Sequence, residues 1–101
     1  MANIDSLTAL ADPTRRKIFE TIAARSGPVG QIADGLPVSR SAVSQHLKVL
    51  TDAGLVSAEP AGNMRIYAIR KDGLQELRAY FDQFWTDVLS NFAQEANKED
   101  H

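Results

Sequence analysis

Four polar side chains, Ser41, Ser44, Gln45 and Lys48, recur at intervals of three, one and three residues within the stretch SRSAVSQHLKVLTDAGLV at 39–56. At roughly 100° per residue this spacing puts them on one face of a helix, with Arg40 beside them at its start. Val43, His46, Leu47, Leu50 and Ala53 gather on the opposite face, which packing requires. The polar face has a definite chemistry. Lys and Arg neutralise phosphates, Ser hydroxyls and the free amides of a helix start donate to phosphate oxygens, and a Gln carboxamide matches the N6 and N7 edge of adenine. The short serines let the backbone approach a groove closely.

Chemistry that makes or breaks bonds is poorly provided for. The chain has no cysteine, which excludes disulfides, thiolate metal sites and cysteine nucleophiles. Its two histidines are His46 and His101. His46 lies on the packed edge of the helix and points to a different side from Ser44, so a nucleophile, a base and an orienting acid do not converge. A structural role for His46 follows, and no catalytic residue, metal site or cofactor is expected.

The elements around this helix read as mostly helical. Asn3 or Asp5 caps a first segment with Ile4, Leu7 and Leu10 at helical spacing. Asp12-Pro13 restarts the chain: Asp12 accepts from the free amides of a second helix, and Pro13 fits a first position that needs no N–H. That helix runs to about Ala24 and buries Ile18, Phe19 and Ile22. Ser26-Gly27-Pro28 breaks it. A third, short helix is expected around Gln31 to Gly35, its start without a strong polar cap, with Ile32 and Leu36 inward. Pro37 closes it, Ser39 caps the fourth helix and Gly54 stands just past its end, so the two short helices sit three residues apart.

After Gly54 the period changes to two. Leu55, Val56 and Ala58 lead to Ala61-Gly62-Asn63, and Met64, Ile66, Ala68 and Ile69 follow, with Arg65 and Tyr67 alternating between them: a β-hairpin. From Lys71 to about Ala96 the helical period returns. Leu74, Leu77, Phe81, Phe84, Trp85, Val88, Leu89 and Phe92 form a stripe broader and more aromatic than one helix on a small core requires. Its excess apolar surface calls for a second copy of the chain. Residues 97–101 are expected to fray, leaving residues 1–96 as one domain.

At 101 residues and 44% hydrophobic content there is room for one modest core and no second catalytic domain. No apolar run approaches the roughly 20 residues that cross a bilayer, so a cytoplasmic location is expected. The formal charge of −2 hides a division. Residues 12–71 hold nine Lys and Arg against five acids, whereas residues 72–101 hold seven acids against two basic residues. The middle of the chain is therefore suited to a polyanion despite an acidic sequence pI near 5.6.

A short helix, a turn, a polar-faced helix and a hairpin with a basic residue near its tip form the layout of a winged helix-turn-helix, mainly α with a small β wing in the order ααααββα. The residues also resemble a known family. LADPTRRKI at 10–18, SRSAVSQHLKVLTDAGLV at 39–56 and GNMRIYAI at 62–69 are similar to the signature segments of ArsR-type (ArsR/SmtB) bacterial transcriptional repressors. The most specific match is S-x-H-L-x-x-L-x-x-A-G-L-V, carried by Ser44, His46, Leu47, Leu50, Ala53, Gly54, Leu55 and Val56. The resemblance implies a homodimer built on the first and last helices, which adds Leu7 and Leu10 to Leu77, Phe81, Phe84, Trp85, Val88 and Phe92 as dimer residues. It implies a double-stranded DNA operator with inverted half-sites, contacted by Arg40, Ser41, Ser44, Gln45 and Lys48 and by a wing bearing Asn63 and Arg65.

The chain departs from the family in one respect. Many relatives release DNA when a metal binds cysteines, or carboxylates and histidines on the last helix. This sequence has no cysteine and no histidine on the last stripe, and Asp82 and Asp87 do not share a helix face, so the usual ligand sets are not expected here. A repressor without that metal switch is the expectation, its effector unidentified. The alternative is a winged helix that docks a protein through the same polar face, which would show little salt-dependent DNA affinity.

Overall fold

Asp12 starts a helix as its residue type demands: its carboxylate accepts the Arg15 amide at 2.9 Å, and Pro13 follows at the first helical position. In the computed structural model, which describes the backbone of residues 2–99 and the side chains of residues 6–96, seven elements follow in order. They are α1 (Ala2–Ala11), α2 (Pro13–Ala24), α3 (Val29–Ala33), α4 (Arg40–Asp52), β1 (Val56–Ala61), β2 (Met64–Ile69) and α5 (Lys71–Glu99). This is the ααααββα winged helix-turn-helix order.

Four boundaries differ from those expected. α1 is already helical at Ala2, so Asn3 and Asp5 lie within it and are not its caps. α3 begins at Val29, two residues earlier than Gln31, because extended Pro28 contributes its carbonyl to the Ile32 amide at 3.1 Å without any side-chain cap. It ends when Asp34 turns extended, so the link to α4 is six residues, 34–39, rather than three. α5 continues to Glu99, past Ala96, since no Gly or Pro follows Gly73 to stop it. Asp100 and His101 lie outside the described residues.

The core collects one apolar stripe from each helix. Ile18 and Ile22 of α2, Ile32 of α3, and Val43, Leu47 and Leu50 of α4 are fully or almost fully buried with Leu55 and Val56. Each such side chain contributes about 1.5–3 kcal/mol on burial. Phe19, Leu7 and Leu10 pack half-buried on its edge. Leu77 is also buried, at 7% exposure, so this member of the stripe is committed to the core of its own chain.

Two glycines shape the approach to the wing. After Ala53, Gly54 adopts φ +79°; its amide donates to Thr51 and the Leu55 amide to Leu50, so the end of α4 is closed by the reciprocal bonds of a left-handed C-terminal motif. Leu50 and Leu55, both buried, make its apolar contact. β1 and β2 then pair antiparallel from Val56 opposite Ile69 to Ala61 opposite Met64. Gly62 at the tip has φ +64°, while Asn63 does not adopt positive φ. That matches the two-residue turn with Gly first, whose twist suits a hairpin.

The other edge of β2 is used as well. Tyr67 and Gly27 exchange backbone hydrogen bonds of 3.1 and 2.8 Å, fastening the wing to the loop ahead of α3. α5 is fastened at its start, where the Arg70 amide donates to the Leu55 carbonyl at 2.9 Å and Gly73 lies directly against Gly54. Beyond Leu77 it leaves the core. The molecule measures 68 × 26 × 21 Å with a radius of gyration of 17.9 Å, against about 13 Å for a compact chain of this length. From Arg78 to Ala96 every residue is exposed except half-buried Val88.

Candidate nucleic-acid interface

Helix α4 divides into a buried and an exposed face, with Val49, 39% exposed, at their border. Val43, Leu47 and Leu50 have 0% exposure, whereas Arg40, Ser41, Ser44, Gln45 and Lys48 are all exposed. Ser39 caps the helix, its hydroxyl accepting the Ala42 amide at 3.1 Å, so the polar face starts at a defined first turn. Thirteen residues give a rod of about 20 Å, of a diameter that the major groove of B-DNA admits.

Arg40 connects this face to the wing. Its guanidinium lies across Gly30 of α3, where an added Cβ would stand 2.7 Å from Nη2. An open groove of about 620 Å³ runs from there to the hairpin tip, lined by Gln31, Asp34, Arg40, Asn63, Arg65 and Tyr67 together with Pro28, Val29, Gly30 and Met64. The structure thus brings Arg40, Asn63 and Arg65 to one groove. Ser41, Ser44, Gln45 and Lys48 stand outside it on the open face of α4. Gln31, Asp34 and Tyr67 were absent from the sequence-based site. For Tyr67 the alternation in β2 was a usable signal; Gln31 and Asp34 reach the groove through the packing of the wing beside α3, which no local signal marks.

Charge pairing modifies the picture of free cations. Lys48 Nζ lies 3.2 Å from the Asp52 carboxylate one turn later, both side chains well exposed. Such a pair holds weakly and exchanges readily for a stronger anion. Away from the face, Arg70 binds Asp72 through two nitrogens at 3.1 and 2.6 Å, which holds the Asp72 carboxyl below its ordinary range and raises Arg70 further. The amide of Arg15 likewise holds the Asp12 carboxyl low.

His46 is half-buried and turned away from the exposed face, its Nδ1 3.4 Å from an Arg15 guanidinium nitrogen. Among the described residues no three of His, Asp and Glu gather as a metal-holding group. On α5, Asp82 pairs with Arg78 and Asp87 accepts from Gln83. Phe81, Phe84, Trp85 and Phe92 are 49–63% exposed, on the arm that extends beyond the core.

The sequence profile of a helix-turn-helix domain matches residues 10–57. The chain is 54% identical over 86 residues to the HTH-type transcriptional regulator Rv2034 of Mycobacterium tuberculosis, covering 85% of this chain and 80% of that protein. The chain belongs to the ArsR-type helix-turn-helix transcriptional regulators. Among solved structures, a possible transcriptional regulator for arsenical resistance superposes with a TM-score of 0.74 at 43% identity, covering 90% of this chain and 95% of the other. The ArsR-like transcriptional regulator from Rhodococcus sp. RHA1 superposes at 0.80 with 25% identity, covering 91% and 87%. In this ArsR-type regulator the matched profile ends at Ser57, so it takes in α2, α3 and all of α4, together with the last residues of α1. Among the described residues no helix is long and apolar enough to cross a membrane.

Proposed function

We propose that this regulator is a homodimeric repressor that inserts α4 into the major groove at each half of an inverted-repeat operator. Gln45 reads a base edge, Lys48 and Arg40 hold phosphates, Ser41 and Ser44 hydrogen-bond to the backbone, and Asn63 and Arg65 of the wing follow the flanking strand. The observation that carries this reading is the division of α4 into a face that buries Val43, Leu47 and Leu50 and a face that exposes Arg40, Ser41, Ser44, Gln45 and Lys48. A helix that served only to pack would have no use for five exposed donors facing one way.

Dimerisation follows from the α5 arm. Phe81, Phe84, Trp85 and Phe92 expose more aromatic surface than a monomer keeps in water, and Val88 lies among them, while half-buried Leu7 and Leu10 of α1 at the edge of the core complete the proposed face. Leu77 is buried within its own chain and only backs this face. Two-fold symmetry places the two α4 helices one or two DNA turns apart. Repression is steric: the dimer in the cytoplasm occupies an operator overlapping a promoter, without a family-type metal switch.

The deciding experiment measures binding of the purified protein to labelled DNA from upstream of its own gene and to a scrambled fragment, across a salt series, with and without Zn²⁺. Preferential binding that falls steeply with salt and ignores zinc is the expected result. Absence of binding at low salt would refute the proposal and favour a protein-docking role.

A further inference from the structure

Two recognition helices read one operator only if each is held at a fixed angle to the two-fold axis. Apolar contacts are non-directional. The directional contacts between α4 and the helices that carry the dimer face are therefore the informative ones. At its C-terminal end, α4 is held by the Arg70 and Gly73 contacts with Leu55 and Gly54, and by buried Ser6 of α1, whose hydroxyl donates to the Ala53 carbonyl at 3.4 Å.

The middle of α4 receives a directional contact from a side chain of α2. Arg15 of α2 is half-buried, and its Nε donates to the Ala9 carbonyl of α1 at 2.8 Å while its Nη1 lies 3.4 Å from His46 Nδ1. Arginine is a donor only, so in this contact Nδ1 of His46 is the acceptor. A planar guanidinium holds two acceptors at a set angle, which a lysine ammonium does not. The amide of the same residue is fixed by Asp12. Because α1 packs along α5, a continuous path runs from α5 through α1 and Arg15 to α4, arriving next to Gln45.

We infer that Arg15 is a positioning residue that orients the reading half of α4 against α1 and so sets the separation of half-sites the dimer accepts. This rests on the dimeric DNA-binding reading above. Neither the Arg15 nor the His46 side chain need touch DNA for this role.

A randomised duplex pool selected with the wild-type protein supplies the probe. The selected half-site is then presented singly, and in pairs with the spacer shortened or lengthened base pair by base pair. Arg15→Met should lose about tenfold in affinity at the preferred spacing, because two-site binding collapses when geometry forbids simultaneous engagement. It should keep its affinity for a single half-site, and its spacing profile should flatten. His46→Gln, which retains an acceptor, should keep the wild-type profile.

Equal losses on single and paired half-sites with an unchanged profile would overturn the proposal. Should Arg15→Met fail to fold by thermal melting, His46→Leu makes the same comparison, since it packs but does not accept; a wild-type profile there also overturns the proposal. A wild-type protein that selects no duplex, or sediments as a monomer, refutes the underlying functional reading and the proposal with it, and is seen before any variant is made.

Discussion

Truncating Trp85 to Ala isolates the dimer contact from the fold. Trp85 is 63% exposed and lies outside the buried core, so the protomer should not register its loss. An indole of up to about 250 Å² would at that exposure present roughly 150 Å² to a partner. At about 25 cal/mol per Å² this corresponds to roughly 4 kcal/mol per copy, acting twice in a symmetric pair. The realised cost is smaller, because association also orders side chains and desolvates the rim, and central aromatics typically cost about 2–4 kcal/mol on truncation. The dimer dissociation constant should rise at least about a hundredfold. Sedimentation equilibrium over a concentration series reads this directly, with far-UV circular dichroism confirming an unchanged helix content. A dissociation constant within about threefold of wild type would refute the assignment of the α5 stripe to a second copy.

Other substitutions separate the remaining roles. Lys48→Ala should weaken binding to operator and random DNA alike and reduce the salt slope by about one, whereas Gln45→Ala should lose about 1–3 kcal/mol at one base pair of the operator, both read by titration across salt and base substitutions. Equal losses on operator and random DNA for Gln45→Ala would end its base-reading role. Gly73→Ala places a Cβ into the Gly54 carbonyl, with Gly54 C only 2.9 Å away; overpacking of about 1–3 kcal/mol outweighs a helix-propensity gain of about 1 kcal/mol, and the melting temperature should fall at fixed protein concentration. The lowered Asp12 pKa makes its cap a stabilising contact above the unfolded-state value that disappears as pH falls through the folded one. Acid unfolding of Asp12→Asn, which keeps a capping oxygen, should therefore depend less steeply on pH in that window.

The exposed polar face of α4 was legible because residue type and helical period agreed there: a strong N-cap at Ser39, a left-handed residue at Gly54, and an apolar stripe wide enough to bury Val43, Leu47 and Leu50 between them. Where local signals were weak, the reading slipped. Pro28 contributes a carbonyl but no side-chain cap, so nothing in the residue types marked Val29 as a helix start. The groove was illegible for a different reason: Gln31, Arg40 and Arg65 are distant in sequence and meet only because Gly27 pairs with Tyr67 and holds the wing beside α3. Arg15 showed the same limit in its side chain, since its contacts to α1 and to His46 depend on how the helices pack, whereas its amide bond to Asp12 is the local cap that the residue types announce.

The stripe of α5 was read as a single apolar face, yet the fold divides it. Its first turns pack on α1 and bury Leu77, while the turns from Phe81 onward project past the core. A 29-residue helix is about 43 Å long, more than this core can cover, so Phe84, Trp85 and Phe92 of its outer half stay largely exposed, as does Phe81 beside the edge of the Tyr80 ring. Asp82, Asp87 and Glu95 lie on this same arm, away from the basic segment that carries α4 and the wing. A dimer joined along the arms would thus hold its negative charge at the centre of the assembly and present its basic faces toward the phosphates, which is the separation an acidic protein needs in order to bind a polyanion.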